Sequence, residues 1–288
     1  MEMLISKKNQ ISKEQYESLK TTGLDFEKLS IKHSLVKEIK AIGFQKTLFN
    51  SPEDHGSFAN FSSFAYWKDS EKKKASEQAK ETIEILQSWE ELQENEVSLH
   101  ADYILLGVNA GSFGMDGKEE ETFEHFEMFQ IRSVLKEGKV RGIPSPIKYK
   151  NALINNGEEE LFSQKLKGMY MTDFIKGFPT RFGGDIKKNL KLYVKDIHPK
   201  KADFEEFYTK FCQLFGEILE NELNLLKNPE ASKTQTLVIM GKNPKTCVIN
   251  DFLKRSELDK KYNIINIPHY SAPVKHTVIA ESFKKVFE

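Results

Sequence analysis

Cysteine is almost missing from this 288-residue chain: only Cys212 and Cys247 occur, and there is no Cys-x-x-Cys pair. Two isolated thiols suggest neither a disulfide framework nor a cysteine metal site, and both fit a reducing cytoplasm. Long apolar runs are missing too. No stretch reaches the roughly 18 apolar residues that a membrane-spanning helix needs. The first residues, MEMLISKKNQISKEQYESLK, lack the apolar centre of a secretory signal, so a cytoplasmic protein with no membrane partner is expected. Net charge is absent as well, with 43 Lys+Arg against 43 Asp+Glu. Neither an internal repeat nor a low-complexity tract is present.

What remains is a folded globular chain. Its 39% hydrophobic and 11% aromatic content is enough for a sizeable core. Its length is near the upper limit for one continuous core, so one enlarged domain or two small ones both fit. The zero charge hides an asymmetry. Residues 139–201 hold 14 Lys/Arg against six Asp/Glu, a balance of +8, and residues 232–288 hold ten against five, or +5. Residues 202–231 hold two against seven, or −5, which leaves −8 for residues 1–138. Basic segments of this kind attract a polyanion if they cluster in space, and otherwise are ordinary solvated helix faces.

Apolar spacing divides the chain into two parts. Residues 1–98 read as a polar, helical N-terminal extension packed on the core, with helical periodicity over Ser34–Ile42 and Ser76–Leu92. Between these lies an aromatic and turn-rich segment, residues 48–69, irregular or partly stranded. From residue 99 onward strands alternate with helices. The expected strands are Tyr103–Gly107, Gly168–Phe174, Thr236–Gly241 and Tyr262–Ile267. The expected helices are Glu119–Lys136, Asp203–Leu226, Thr246–Ser256 and His276–Phe287. In the third, Asn243 is suited to cap and Pro244 to open the helix. The polar stretch 138–167 reads as a long excursion. This alternation predicts an α/β fold, a parallel sheet covered by helices on both faces.

The ends of three expected strands carry the chemistry. The first, ADYILLGVNAGSFG, is an apolar run that ends on Gly107 and delivers Asn109 and Gly111. The second, GMYMTDFIKG, presents Asp173. The third, INIPHYSAPVKH, presents His269 and Ser271. Ligands of open α/β sheets bind outside this edge, where strand ends and helix N-termini converge. Each residue also has an ordinary use: Asn109 suits a turn cap, His269 a structural histidine, Asp173 a helix cap, and the glycines mere strand-end punctuation. Taken together, the three segments resemble the motifs of the uracil-DNA glycosylase superfamily. GVNAG is similar to the Gly-Ile-Asn-Pro-Gly of its mismatch-specific branch, with Ala110 in place of Pro. HYSAP is similar to the His-(Pro/Tyr)-Ser segment at the end of its last core strand. The resemblance spans roughly residues 101–288.

That resemblance implies a three-layer α/β/α sandwich around a four-stranded parallel sheet. The reaction it implies is hydrolysis of the N-glycosidic bond of a damaged or deaminated base in DNA, with no metal or organic cofactor. Asn109 would orient the attacking water, and His269 would donate to the departing base. Gly107, Gly111, Asp173 and Ser271 would line the base pocket, and Phe126 would stack on the flipped base, with Phe129 and Phe113 as rivals. Asp173 departs from the Asn of uracil-specific members. A carboxylate offers acceptors only, so it suits a base presenting an amine or a ring N–H. Two cysteines also exclude the iron–sulfur branch. A rival enzymatic reading places Ser112 on a nucleophile elbow with Asp173 and His269, although Ala110 stands where the elbow needs Gly. A non-catalytic nucleic-acid or nucleotide-binding protein on the same fold is the third reading. Oligomeric state stays open.

Overall fold

A computed structural model describes residues 10–23, 35, 57–69, 75–111, 125–130, 146–180, 186–195, 198, 200–228, 235–241 and 247–288, without the side chains of residues 75, 76, 79, 109–111, 177–180 and 193. The first helix, α1 (Lys13–Thr21), begins at Ser12, whose hydroxyl accepts from the Gln15 amide while the Gln15 side chain accepts from the Ser12 N–H. This reciprocal pair satisfies two of the helix's orphan donors. Tyr16 and Leu19 on its inner face are fully buried, and the Tyr16 hydroxyl donates to the Leu86 carbonyl.

The sheet has five strands rather than the four expected. They are β1 (Ser62–Phe64), β2 (His100–Gly111), β3 (Met169–Thr180), β4 (Thr236–Met240) and β5 (Asn263–Ile267), in the order β1-β3-β2-β4-β5. The four later strands run parallel, and β1 pairs antiparallel with the edge of β3. The extra strand comes from the aromatic segment before residue 69. Its backbone is drawn onto the sheet by Phe64, whose ring packs against Tyr170 and Phe126.

Helical connections lie between the parallel strands. Helices α2 (Ala75–Gln87) and α3 (Trp89–Glu94) replace the single expected helix over 76–92, because Ser88 leaves the helix and caps the second one. They precede β2. Then come α4 (Ile147–Ile154), α5 (Ile186–Tyr193), α6 (Lys201–Leu226), α7 (Val248–Arg255) and α8 (His276–Phe287). Helices α4 and α5 were not legible as periodic segments. The stretch read as a polar excursion turns Tyr149, Ala152 and Leu153 into the core.

Both faces of the sheet are covered. Leu106, Tyr170, Phe174 and Ile239 join a core with Phe211, Phe215, Leu219 and Phe252 from α6 and α7. On the other face Leu105, Met171, Val238 and Ile267 pack with Tyr149, Leu153, Ile279 and Phe283 from α4 and α8. Burial on both faces explains why these strands read as unbroken apolar runs. The fold is thus a mixed α/β architecture whose N-terminal segments are built into the same core. Of the expected helix 119–136, residues 125–130 are described and form turns, with Phe126 and Phe129 at φ of 60° and 68°. Left-handed backbone is incompatible with a continuous helix there.

One buried group at the opposite end of β2 sets an acid limit. His100 is 6% exposed, and its Nε2 has no hydrogen-bond partner among the described residues. Burial, reinforced by the nearby Lys165 charge and opposed by a hydrogen bond to the Lys167 backbone, pushes its pKa down from 6.5 to about 4. The folded state therefore disfavours the proton that the unfolded chain accepts. This contribution is complete above pH 6.5 and is lost as pH falls towards 4. The loss is on the order of 3 kcal/mol. Replacing His100 by Gln should remove this component from the pH dependence of thermal unfolding; identical pH profiles for the two proteins would refute it.

Candidate functional site at the carboxyl edge of the sheet

Four parallel strands place their carboxyl ends along one edge, and register fixes which residues meet there. Gly107 of β2 stands opposite Asp173 of β3, and Asn109 opposite Ile175. Leu106 pairs with Ile239, and Ile239 pairs with Asn266. Asn109 lies three residues past Leu106 on β2, and His269 two residues past the end of β5 at Ile267, with β4 between the two strands. Two strand spacings separate the paths, roughly 10 Å. The sheet therefore places Asn109 and the turn carrying His269 at the same carboxyl edge.

Gly107 is glycine for a reason of space. A Cβ built on it would sit 2.1 Å from Asp173 Oδ1 and 3.2 Å from the Met240 methyl group. The Asp173 carboxylate thus fills the space above this glycine, 2% exposed, between β2 and β3. A side chain at residue 107 would expel it.

His269 follows β5 on a turn that is held firmly. Its carbonyl accepts from the Ala272 N–H, Tyr149 Oη donates to the Pro268 carbonyl at 3.0 Å, and Lys148 Nζ to the Ala272 carbonyl at 2.8 Å. The imidazole lies against the Tyr270 ring, with centroids 4.1 Å apart. The Ser271 N–H donates to His269 Nδ1 at 3.1 Å, and Ser271 Oγ is 2.6 Å from the same atom. A backbone N–H can only donate, so Nδ1 must accept. In the neutral ring the proton is thereby assigned to Nε2. His269 is a partly exposed, oriented Nε2–H donor at the edge.

The chain matches no protein-family model, no curated protein and no solved structure.

Two of the aromatic candidates belong elsewhere. Phe126 is fully buried between Tyr16 and Phe64, its N–H donating to the Ala59 carbonyl. It lies beside β1, on the far side of β3 and β2 from His269, and is a core residue rather than a stacking platform. Phe129 is likewise 2% exposed, in the core of the other face. The reason is contact area: both rings stay buried even though their backbones adopt left-handed φ. Phe113 and Ser112, and with Ser112 the nucleophile-elbow reading, lie outside the described residues, as do Asn243 and Pro244. The side chain of Asn109 also lies outside the described residues, although the backbones of Asn109 and Gly111 are within β2.

A buried charge cluster just behind the edge was not expected. Lys176 and Glu222 are both 0% exposed, with Nζ 2.7 Å from Oε2. Glu222 Oε1 accepts from Tyr170 Oη at 2.7 Å and from Thr172 Oγ1 at 2.9 Å. Lys176 Nζ in turn donates to Thr172 Oγ1 and, at 2.6 Å, to the Asp173 carbonyl. Burial raises the Glu222 carboxyl above its usual range, while Lys176, Tyr170 and Thr172 pull it back. One sequence signal pointed here. Phe215, Leu219, Glu222 and Leu226 share one helical stripe of α6, and an acid in the middle of an apolar stripe needs a buried partner. No group of three His, Cys, Asp or Glu side chains suited to a metal ion occurs among the described residues.

Proposed function

We propose that this protein is a DNA glycosylase-like hydrolase that removes a modified base, with a core of the uracil-DNA glycosylase type: the parallel strands β2 to β5, with β1 as an added edge. The observation that carries the reading is the oriented Nε2–H of His269 at the carboxyl edge that also carries Asn109, two strands away. Cleavage of an N-glycosidic bond leaves the base as an anion and the sugar oxocarbenium-like. A fixed neutral donor at the base oxygen stabilises the charge that develops there. An amide has no basicity to spare, so Asn109 orients the water rather than deprotonating it. The target base must be taken out of the stack to reach such an edge.

Asp173 supplies the base-reading element in this scheme, its carboxylate held over Gly107. Acceptor-only chemistry favours a base that presents N–H groups. Asp173→Asn should shift substrate preference towards uracil, whose carbonyls need a donor. The same excision profile across a panel of lesions for both proteins would dismiss Asp173 from this role. The whole reading is tested by mass-spectrometric detection of free bases after incubation with DNA carrying uracil, hypoxanthine, xanthine or alkylated purines. Release of one of them is expected.

A second reading keeps the surface and drops the chemistry. Exposed Lys188 and Lys191 on α5 and Lys200 and Lys201 at the start of α6 form a cationic stretch that a nucleic-acid-binding protein would use. Salt-sensitive DNA affinity without any released base would favour it.

A further inference from the structure

A lysine and a glutamate with no solvent access stand directly behind the edge just described. Fully burying two charges is expensive, and an apolar pair of similar volume commonly serves stability as well or better. Their geometry suggests what is gained. Beyond Ile175 the strand β3 leaves its register: β2 advances two residues, from Asn109 to Gly111, while β3 advances five, from Ile175 to Thr180. Lys176 is the first residue of that excess. Its ammonium turns back to the Thr172 hydroxyl and the Asp173 carbonyl, and is anchored from α6 by Glu222. Irregular strand segments of this kind re-aim the residues beside a site.

We propose that Lys176 and Glu222 are a positioning pair: the ammonium, anchored by α6, fixes the main chain of Asp173–Lys176 so that Asp173 is held over Gly107. An ammonium suits the task because it donates to several acceptors at once, here a carboxylate, a hydroxyl and a carbonyl. Neither side chain touches a substrate; both act through Asp173. The link to catalysis rests on the glycosylase reading above, but the backbone role does not.

The decisive variant is Lys176→Met/Glu222→Gln. It removes both charges, nearly conserves volume, and leaves an amide oxygen to accept from Tyr170 and Thr172. Tyr170→Phe is the control, since it weakens the same cluster without touching the contact between Lys176 and the Asp173 carbonyl. Residue-resolved hydrogen exchange should show the amides of 173–176 opening about tenfold or more faster in the double variant, with those of 104–106 and 237–239 unchanged. In the control the 173–176 amides should keep the wild-type rate. For a lesion the wild-type protein excises, kcat should fall about tenfold or more in the double variant while KM holds. Unchanged exchange at 173–176, an equal rise in the Tyr170→Phe control, or a double variant that does not fold would each overturn the proposal. Changed exchange with an unchanged kcat would overturn its catalytic half. A wild-type protein that releases no base would sink the glycosylase reading alone, since the exchange result still decides the backbone role.

Discussion

Substituting His269 by alanine should reduce base release by at least two orders of magnitude while leaving the thermal unfolding transition in place. The effect is large because the donor is preorganised: Ser271 and the turn held by Lys148 and Tyr149 fix the ring before any substrate arrives. Removing one such donor costs about 10²–10³ in rate. The fold should tolerate the change, since the ring is only partly buried and its hydrogen bonds to Ser271 stay within the turn. Asn109→Ala should act similarly, through the loss of water orientation. Single-turnover release of the excised base, compared with wild type at equal folded concentration, measures both. Wild-type rates in the two variants would mean that the strand ends meet for another purpose.

The second large effect concerns stability. Glu222→Leu should destabilise the protein by about 3–5 kcal/mol, because it leaves the Lys176 charge buried and unpaired. Tyr170 and Thr172 would lose their acceptor in the same step. In a chain of this size the melting temperature should fall by roughly 10 °C. The exposed Lys13–Glu90 pair supplies the contrast, with side chains 58% and 67% accessible. Water and salt screen such a contact, so Lys13→Ala should leave the melting temperature within error. A Glu222→Leu protein as stable as wild type would show that the cluster adds nothing to the fold.

Much of the framework was legible because it depends on local chemistry. Tyr103–Gly107 and Thr236–Gly241 read as strands from their unbroken apolar runs, and the helix His276–Phe287 is found at the expected bounds. Helix α6 begins two residues earlier than its expected Asp203 start. The failures had identifiable causes. Helix α4 was hidden because its inward face relies on Tyr149 and the methylenes of Lys150, whose ammonium finds the Trp67 carbonyl at 2.8 Å. Polar composition there disguised a buried face. Strand β1 is three residues long and is stabilised by pairing with β3, where Ser62 meets Thr172, 110 residues away. Phe126 and Phe129 kept helical spacing, yet their rings are buried from turns.

The sequence by itself determined the alternation of strands and helices, the three segments bearing Asn109, Asp173 and His269, and the glycine beside them. All of these follow from nearest-neighbour patterning. Only the tertiary structure decided which strands lie side by side, and so that Asn109 and His269 share one edge across β4. It also decided that Asp173 occupies the void over Gly107, that Phe126 is core, and that Lys176 reaches Glu222 on a helix 46 residues away. The physical reason is that register and buried charge pairing are set by long-range contacts. Their energies appear only once the chain has closed on itself.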